Sequence, residues 1–501
     1  MTDKMNISTG SYTEQVPSFL KKPEPIRDVA EAIEFDLVVV GAGSSGVPAA
    51  LAAAEAGARV AVVQKETTAA ANGNVGAGIN LDKSDSADLE NLATRLEMDS
   101  DNRPKRELIE LWIQNSGEAI NWLIEKAKES GAQIFDFGNA AQFELIKENN
   151  YKIDFVTSFF GPKPYDTGAG MQDIAKLAAK KGVEFFYGTP ARQLVKDNDR
   201  VIGVIGERDG QCLQFNAKKA VIIATGDYQN DIAMKNYYLP DAVNLENKRT
   251  GRTGDGHKMV VWAGGKIENM AHTKMCHDMD SGPMWDMPFL RVKLNGRRFC
   301  NETLEMSVMC NYLLSKEDSG HYAQIFDSAY MEKAKDFPGA LTKPEDLKNF
   351  MPEEEIEHKG VMPQLIATFK ADTLEELADK LEINNKEAFI ESVKQYNAMA
   401  EAGKDTAFGV PAKYMTTIDK SPYYGIHKHI RFTHADSGVE VNGKLQCLTP
   451  EGKVIPGLYA AGNVAGDFYG ANDYPLTIGG LNLGHNYTEG YFLGKNWKAL
   501  S

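Results

Sequence analysis

The stretch from Leu37 to Val63, L-V-V-V-G-A-G-S-S-G-V-P-A-A-L-A-A-A-E-A-G-A-R-V-A-V-V, constrains this chain more than any other. Leu37 to Val40 is a short β-branched run of the kind that forms a parallel strand buried on both faces. Gly41, Gly43 and Gly46 follow at once, then an Ala-rich segment, Val47 to Ala56, that reads as a helix with Gly57 as its C-cap and Arg59 to Val63 as a second strand. In such a unit the first glycine permits the tight turn and the second lets the backbone approach a pyrophosphate. The third lets the helix pack closely, its N-terminal N–H groups facing the phosphate. Three glycines alone are weak evidence; the flanking strand, helix and second strand make this a dinucleotide-binding unit. Gly41, Gly43, Ser45 and Gly46 are its expected contacts. About 20 residues further on, where an acid commonly meets a ribose, stands Gln64, followed by Lys65. An amide still accepts a bond from a ribose hydroxyl, without the charge; the alternative is an ordinary strand-end glutamine.

At 501 residues the chain exceeds one simple core, so two domains or one domain with an insertion is expected. A hydrophobic fraction of 43% suits a soluble globular enzyme. The net charge of -15 argues against a nucleic-acid or anionic membrane surface, either of which needs a basic patch. No apolar run is long enough to span a bilayer, and Met1 to Gly10 carries no secretory pattern, so a cytoplasmic location is expected. Cys212, Cys276, Cys300, Cys310 and Cys447 are scattered, with no C-x-x-C, which points to reduced structural thiols and to no metal site.

Residues 1–32, with Pro17, Pro23 and Pro25, read as a leading arm. Leu89 to Ala127 has helical periodicity; Gly182 to Phe186, Val201 to Glu207 and Ala220 to Ala224 read as strands, the last running into Ala224-Thr225-Gly226. Thr250 to Gly265, which includes Asp255, reads as a Gly-rich loop entering a helix. From His272 to Tyr414 methionines and aromatics are frequent, a Pro/Glu-rich stretch covers Pro352 to His358, and Leu374 to Leu381 and Lys386 to Ala400 read as helices: an inserted domain. Glycine-rich sequence returns at Ile455 to Asn463.

In order, V-V-V-G-A-G-S-S-G, A-T-G, T-G-D-G, G-R-R-F-C-N-E (Gly296 to Glu302) and P-G-L-Y-A-A-G-N resemble the flavoproteins of the fumarate reductase and succinate dehydrogenase family, from Phe35 to the C-terminus. The resemblance implies an α/β fold, a Rossmann-like FAD-binding domain (33–271 and 415–501) with an inserted α+β capping domain (272–414) closing over the flavin. It adds Gly76, Ala77, Gly78, Ala224, Thr225, Gly226, Asp255, Gly462, Asn463, Asn482 and Leu483 to the expected FAD contacts. Succinate dehydrogenases attach FAD to a histidine in the segment matching Thr67 to Gly78; none is present here, which implies non-covalent FAD.

Family fumarate reductases hold a dicarboxylate with two histidines and two arginines. The histidines match His272, in Ala271-His272, and His434, in T-H-A-D-S-G; the arginine positions hold Met306 and Asp473. Loss of both arginines removes the bidentate donors a dicarboxylate needs and places a carboxylate of the same sign nearby. The segment Tyr474-Pro475 to Gly484 instead resembles the end of 3-ketosteroid dehydrogenases and enone-acting flavoenzymes, in which a Tyr hydroxyl and a glycine N–H bind the substrate carbonyl. Tyr474 and Gly480 take those places, at a spacing two residues longer. The implied reaction is reduction of a carbonyl-conjugated alkene in an apolar, steroid-like or aromatic molecule by hydride from flavin N5. The alternatives are the same chemistry run as a dehydrogenase, a carboxylate-reducing enzyme, or an electron-transfer flavoprotein subunit. Met306 leaves the proton-transfer role vacant, so His272 and His434 are the expected catalytic histidines, with a hydrogen-bonded pocket wall as the alternative role. Met270, Met275, Met279, Met284, Met287, Met306 and Met309 suit either a broad apolar pocket or plain core filling. With no haem, iron–sulfur or second flavin motif, an external electron carrier is the expected partner besides a small-molecule substrate.

Overall fold

A computed structural model describes residues 17–135, 150–161, 166–268, 271–277, 287–335, 337, 368–470 and 472–501. The chain begins with β1 (Glu31–Val40), α1 (Gly46–Glu55), β2 (Val60–Val63), β3 (Val75–Ile79), α2 (Ser86–Asp99), α3 (Arg106–Ser130), β4 (Ile134–Phe135), β5 (Phe155–Phe160) and α4 (Thr167–Lys180). It continues with β6 (Glu184–Phe186), β7 (Ala191–Asp197), β8 (Arg200–Arg208), β9 (Gln211–Ile223), α5 (Ile232–Tyr238), α6 (Asp255–Trp262), β10 (Lys274–His277), β11 (Leu290–Lys293) and α7 (Met306–Cys310). The remainder is β12 (His321–Asp327), α8 (Tyr330–Ala334), β13 (Thr368–Ala371), α9 (Leu374–Lys380), α10 (Lys386–Glu401), β14 (Tyr423–His429), β15 (Arg431–Ala435), β16 (Gln446–Leu448), β17 (Val454–Ala460) and α11 (Leu481–Lys495).

The main sheet runs β16-β17-β9-β1-β2-β6, with β8 on β9 and β7 on β8. Its centre is parallel: Val38 lies opposite Ala61 on one side and Val221 on the other. Leu37 to Val40 and Val60 to Val63 are almost wholly buried, which is why both runs are apolar without alternation. Helix α1 lies between this sheet and α11, and its Ala-rich sequence lets the elements approach closely. The fold is thus the expected α/β arrangement, beside which β3-β5-β4 forms a separate antiparallel sheet.

The single helix expected from Leu89 to Ala127 is two. Asp101 and Asn102 adopt positive φ (57° and 55°), and Pro104 follows, so α2 must end before α3 begins. The inserted region forms the sheet β11-β12-β14-β13 with its own apolar core around Leu377, Leu381, Phe389 and Val393. Strand β14 pairs with both β12 and β13 in this sheet. Pro352 to His358, Met270, Met279 and Met284 lie outside the described residues. In the leading arm, the Trp262 indole donates to the Leu20 carbonyl (3.2 Å) and Ile26 N–H to Gln193 (2.9 Å). Among the described residues no helix is long and apolar enough to cross a membrane, and no cluster of His, Cys, Asp or Glu is placed to hold a metal.

Candidate active site

The dinucleotide loop separates glycines the chain requires from one it does not. A Cβ on Gly46 would stand 1.9 Å from the Gly41 carbonyl oxygen, and one on Gly41 (φ 109°) would stand 2.3 Å from that of Ala224. Both therefore serve the close strand–helix turn. A Cβ on Gly43 would meet nothing nearer than the Ala70 carbonyl at 3.4 Å, so the fold leaves room above this residue, as a pyrophosphate resting on its backbone needs. Beyond it, the Thr225 hydroxyl is buried with no protein partner, and Gly226 (φ 72°) turns the chain beside Arg252. Ser45 Oγ donates to the Ala461 carbonyl (3.2 Å), and Gly462 N–H donates to Glu489 (2.6 Å). These features fit FAD.

Gln64 is buried and engaged within the protein: it accepts from Ala42 N–H (3.4 Å) and donates to the Thr68 carbonyl (3.2 Å). The Lys65 ammonium bonds Thr253 (2.7 Å) and Asp255 (3.0 Å), which ties the end of β2 to the loop before α6. These three expected contacts thus hold the rim of the dinucleotide site in place.

At the flavin end, β3 lies against α11. Ala77 N–H donates to the Gly480 carbonyl (3.0 Å) and Trp112 Nε1 to the Ala77 carbonyl (3.2 Å). Gly76 and Gly78 are small because a Cβ there would strike Tyr487 (2.5 Å) and the Ser116 carbonyl (2.7 Å). Gly480 (φ 86°) is the N-cap of α11, and Asn482 N–H in the first turn donates to the Tyr474 hydroxyl (3.1 Å). Tyr474 and Gly480 therefore meet at one helix N-terminus, where the N–H groups favour negative charge. Leu483 packs against Gly73.

Asp436, which the sequence did not single out, organises the polar residues around that terminus. Its Oδ1 accepts from Asn482 (2.6 Å), Asn463 (3.0 Å) and the His434 ring (2.8 Å); its Oδ2 is buried without a partner. Asn486 in turn donates to Asn463 (2.8 Å). Burial resists charging of His434, but the carboxylates of Asp436 and, farther off, Asp227 outweigh it and hold its pKa above the ordinary value. The His434 and Tyr474 rings stand edge to face at 6.4 Å. The structure thus gathers His434, Asn463, Tyr474, Gly480 and Asn482. A signal for Asp436 was its place two residues past His434, on the same side of an extended segment.

His272 stands apart from this group. It is 1% exposed, stacks on Tyr238 (4.2 Å between ring centres), accepts from the Tyr228 hydroxyl at Nδ1 (2.5 Å) and donates from Nε2 to the Glu268 carbonyl (3.1 Å). Burial pushes its pKa down to about 3, so it stays neutral with both nitrogens occupied.

A small cleft lies beside this network, lined by Lys274, His277, Met306, Asp473, Tyr474 and Leu476 among others. Met306, Asp473 and Tyr474, from distant segments, therefore share one wall. Asp473 is not the bare carboxylate the sequence suggested: the ammonium of Lys274 lies 3.0 Å away and the Asn311 amide donates to it at 2.7 Å. Lys274 also pairs with Asp241 (2.7 Å), and its side chain is only 2% exposed. Nothing in composition or periodicity marks this lysine, because its partners come from elsewhere in the chain.

Residues 36–475 match the family described as FAD binding domain. The chain is 25% identical over 525 residues to a probable fumarate reductase of Shewanella frigidimarina, covering 97% of this chain and 82% of that protein. It is 26% identical to the vinyl phenol reductase of Lactiplantibacillus plantarum, covering 93% and 97% of the two. Its fold superposes with TM-score 0.69 on the 3-ketosteroid delta1-dehydrogenase of Sterolibacterium denitrificans, at 17% identity over 93% of this chain and all of that one. Other curated relatives are more than twice as long as the part of them this chain covers. The chain therefore belongs to the FAD-binding-domain family and is an FAD-dependent oxidoreductase of the fumarate reductase type, acting on carbon–carbon bonds.

Proposed function

We propose that this enzyme reduces the C=C bond of an alkene conjugated to a carbonyl in a neutral, fairly apolar molecule. The observation that carries the reading is the composition of the cleft: Met306, Leu476 and Tyr474 line it, no arginine does among the described residues, and its one carboxylate is already paired with Lys274. A dicarboxylate would find no bidentate donor there. Bound FAD, once reduced, supplies the hydride. The chain's part is to bind the carbonyl oxygen at the start of α11, where the Tyr474 hydroxyl and the backbone N–H of Gly480 serve the charge that develops on it. Pre-aimed donors of this kind are worth roughly 10²–10³-fold each. Asp436 favours the ionised form of His434, whose ring stands 6.4 Å from that of Tyr474, while neutral His272 lies apart from the cleft.

The reductive direction is supported by the relatives named as reductases; the same geometry serves a dehydrogenase. Electrons come from an external carrier. The segment Thr67 to Gly78 offers no histidine, so the FAD is held non-covalently: denaturation should release all the yellow colour into the supernatant, and colour retained on the chain would refute this. The substrate reading is tested by photoreducing the holoenzyme without oxygen and mixing it with a panel of α,β-unsaturated ketones. Rapid flavin reoxidation by enones is expected; reoxidation by fumarate alone would sink the proposal.

A further inference from the structure

We propose that Asp241, Lys274 and Asp473 form a proton relay from solvent to the cleft, with Asp473 giving the proton to the carbon next to the substrate carbonyl. The inference rests on the C=C-reducing reading and fills the role that Met306 leaves open.

The three side chains form a graded path. Asp241 is 46% exposed, Lys274 2% and Asp473 26%, and Asp473 faces the cleft. The lysine bridges the carboxylates at 2.7 and 3.0 Å, within reach of direct proton transfer. Asn311 holds the other oxygen of Asp473 at 2.7 Å. The backbone braces the pair: Lys274 N–H donates to the Asn472 carbonyl and Tyr474 N–H to the Lys274 carbonyl, both at 3.0 Å. The proposed donor and the proposed carbonyl binder are therefore consecutive residues, 473 and 474, fixed to one strand. Other titratable groups near the path are His277, which lines the same cleft, Cys276, whose thiol burial pushes up to about 12, and Lys235, which bonds Asn247 (2.7 Å). A buried ion pair contributes little net stability over apolar residues of similar volume; a lysine placed this way gains more as a carrier.

The step balances. FAD, once bound and reduced, would supply the hydride for the C–H bond at the β-carbon, and the alkene electrons would move toward the carbonyl oxygen. A proton passed from the Lys274 ammonium through the Asp473 carboxylate forms the second C–H bond at the α-carbon. Lys274 then takes a proton from Asp241, which takes one from solvent, so each C=C bond consumes one hydride and one solvent proton.

The test uses photoreduced holoenzyme in single turnover, with cyclohex-2-enone as probe and fumarate in parallel, for wild type, Asp473→Asn and Lys274→Met. Both variants should reoxidise about 10²-fold or more slowly with whichever acceptor the wild type uses, and their solvent deuterium isotope effect should differ from wild type, which a merely structural role would not produce. Should only fumarate react with wild type, the enone reading fails while the relay is still read. Should the variants match wild type, the relay fails while the enone reading stands. A readout without turnover is NMR of holoenzyme carrying ¹³C-labelled aspartate: the Asp473 carboxyl signal, assigned by its loss in Asp473→Asn, should titrate at higher pH in Lys274→Met. An unmoved titration overturns the coupling, and with it the relay.

Discussion

The dinucleotide loop and the substrate cleft are built on opposite principles. In the loop, backbone does the work: Gly41 and Gly46 are fixed by carbonyls about 2 Å from where a side chain would begin, that of Gly41 within the same βαβ unit for Gly46 and that of Ala224, just after β9, for Gly41. In the cleft, side chains do the work, and Lys274, Met306, Asp473 and Tyr474 arrive from β10, α7 and the loop before α11. A site made of backbone tolerates little change in sequence and announces its cofactor; a site made of side chains on separate elements can change its substrate without disturbing that cofactor.

The contrast can be broken at both ends. Gly46→Ala should have the largest effect, loss of soluble folded protein, because the new Cβ overlaps a backbone oxygen that cannot move aside; the cost exceeds the ~1–3 kcal/mol of ordinary overpacking. Circular dichroism and flavin content would show it, and a normally folded Gly46→Ala protein would refute the packing argument. At the cleft, Tyr474→Phe should lower turnover by about 10²-fold while FAD loading and melting temperature stay near wild type. An unchanged turnover would remove the hydroxyl from the carbonyl site. Gly43→Ala sharpens the comparison from within the loop. Its Cβ meets no protein atom closer than 3.4 Å, so the fold should survive while FAD affinity falls at least about tenfold, 1.4 kcal/mol, measured by fluorescence titration of the apoprotein.

The mildest prediction concerns Glu268, which is buried beside Gly438 and His272. Its Oε1 accepts from Gly438 N–H (2.7 Å), and burial, with the charge of Asp467 second, pushes its pKa up from 4.5 to about 8. The folded protein therefore keeps a proton that the unfolded chain releases. That contribution to stability is complete below pH 4.5 and is lost as pH rises through about 8. Glu268→Gln, which keeps the shape but cannot ionise, should flatten the fall in denaturant midpoint between those values. An equal fall in both proteins would exclude Glu268 as its source.

How much was legible in the sequence follows the same division. The strands and helix around Gly41 to Gly46 follow from local pattern, and the α/β fold follows from them. The break between α2 and α3 was missed because helical periodicity persists across it, although Asp101, Asn102 and Pro104 carried the signal. At the site, the resemblance pointed to His434, Tyr474, Met306 and Asp473, but it could not say that Asp473 is paired or that both nitrogens of His272 are taken. Asp436 and Lys274 were missed outright, since a carboxylate or an ammonium gains its role from partners on other elements, such as Asn482 for Asp436 and Asp473 for Lys274.

By itself, then, the sequence determined the cofactor and the Gly41 to Gly46 turn of its cradle, because the approach of Gly46 to the Gly41 carbonyl and the period of buried strands act over a few residues. Only the tertiary structure decided the charge of the cleft and which histidine is engaged. The strength of an ion pair or hydrogen bond depends on distance and burial, and only folding brings Asp241, Lys274 and Asp473 within 3.0 Å of one another along their path.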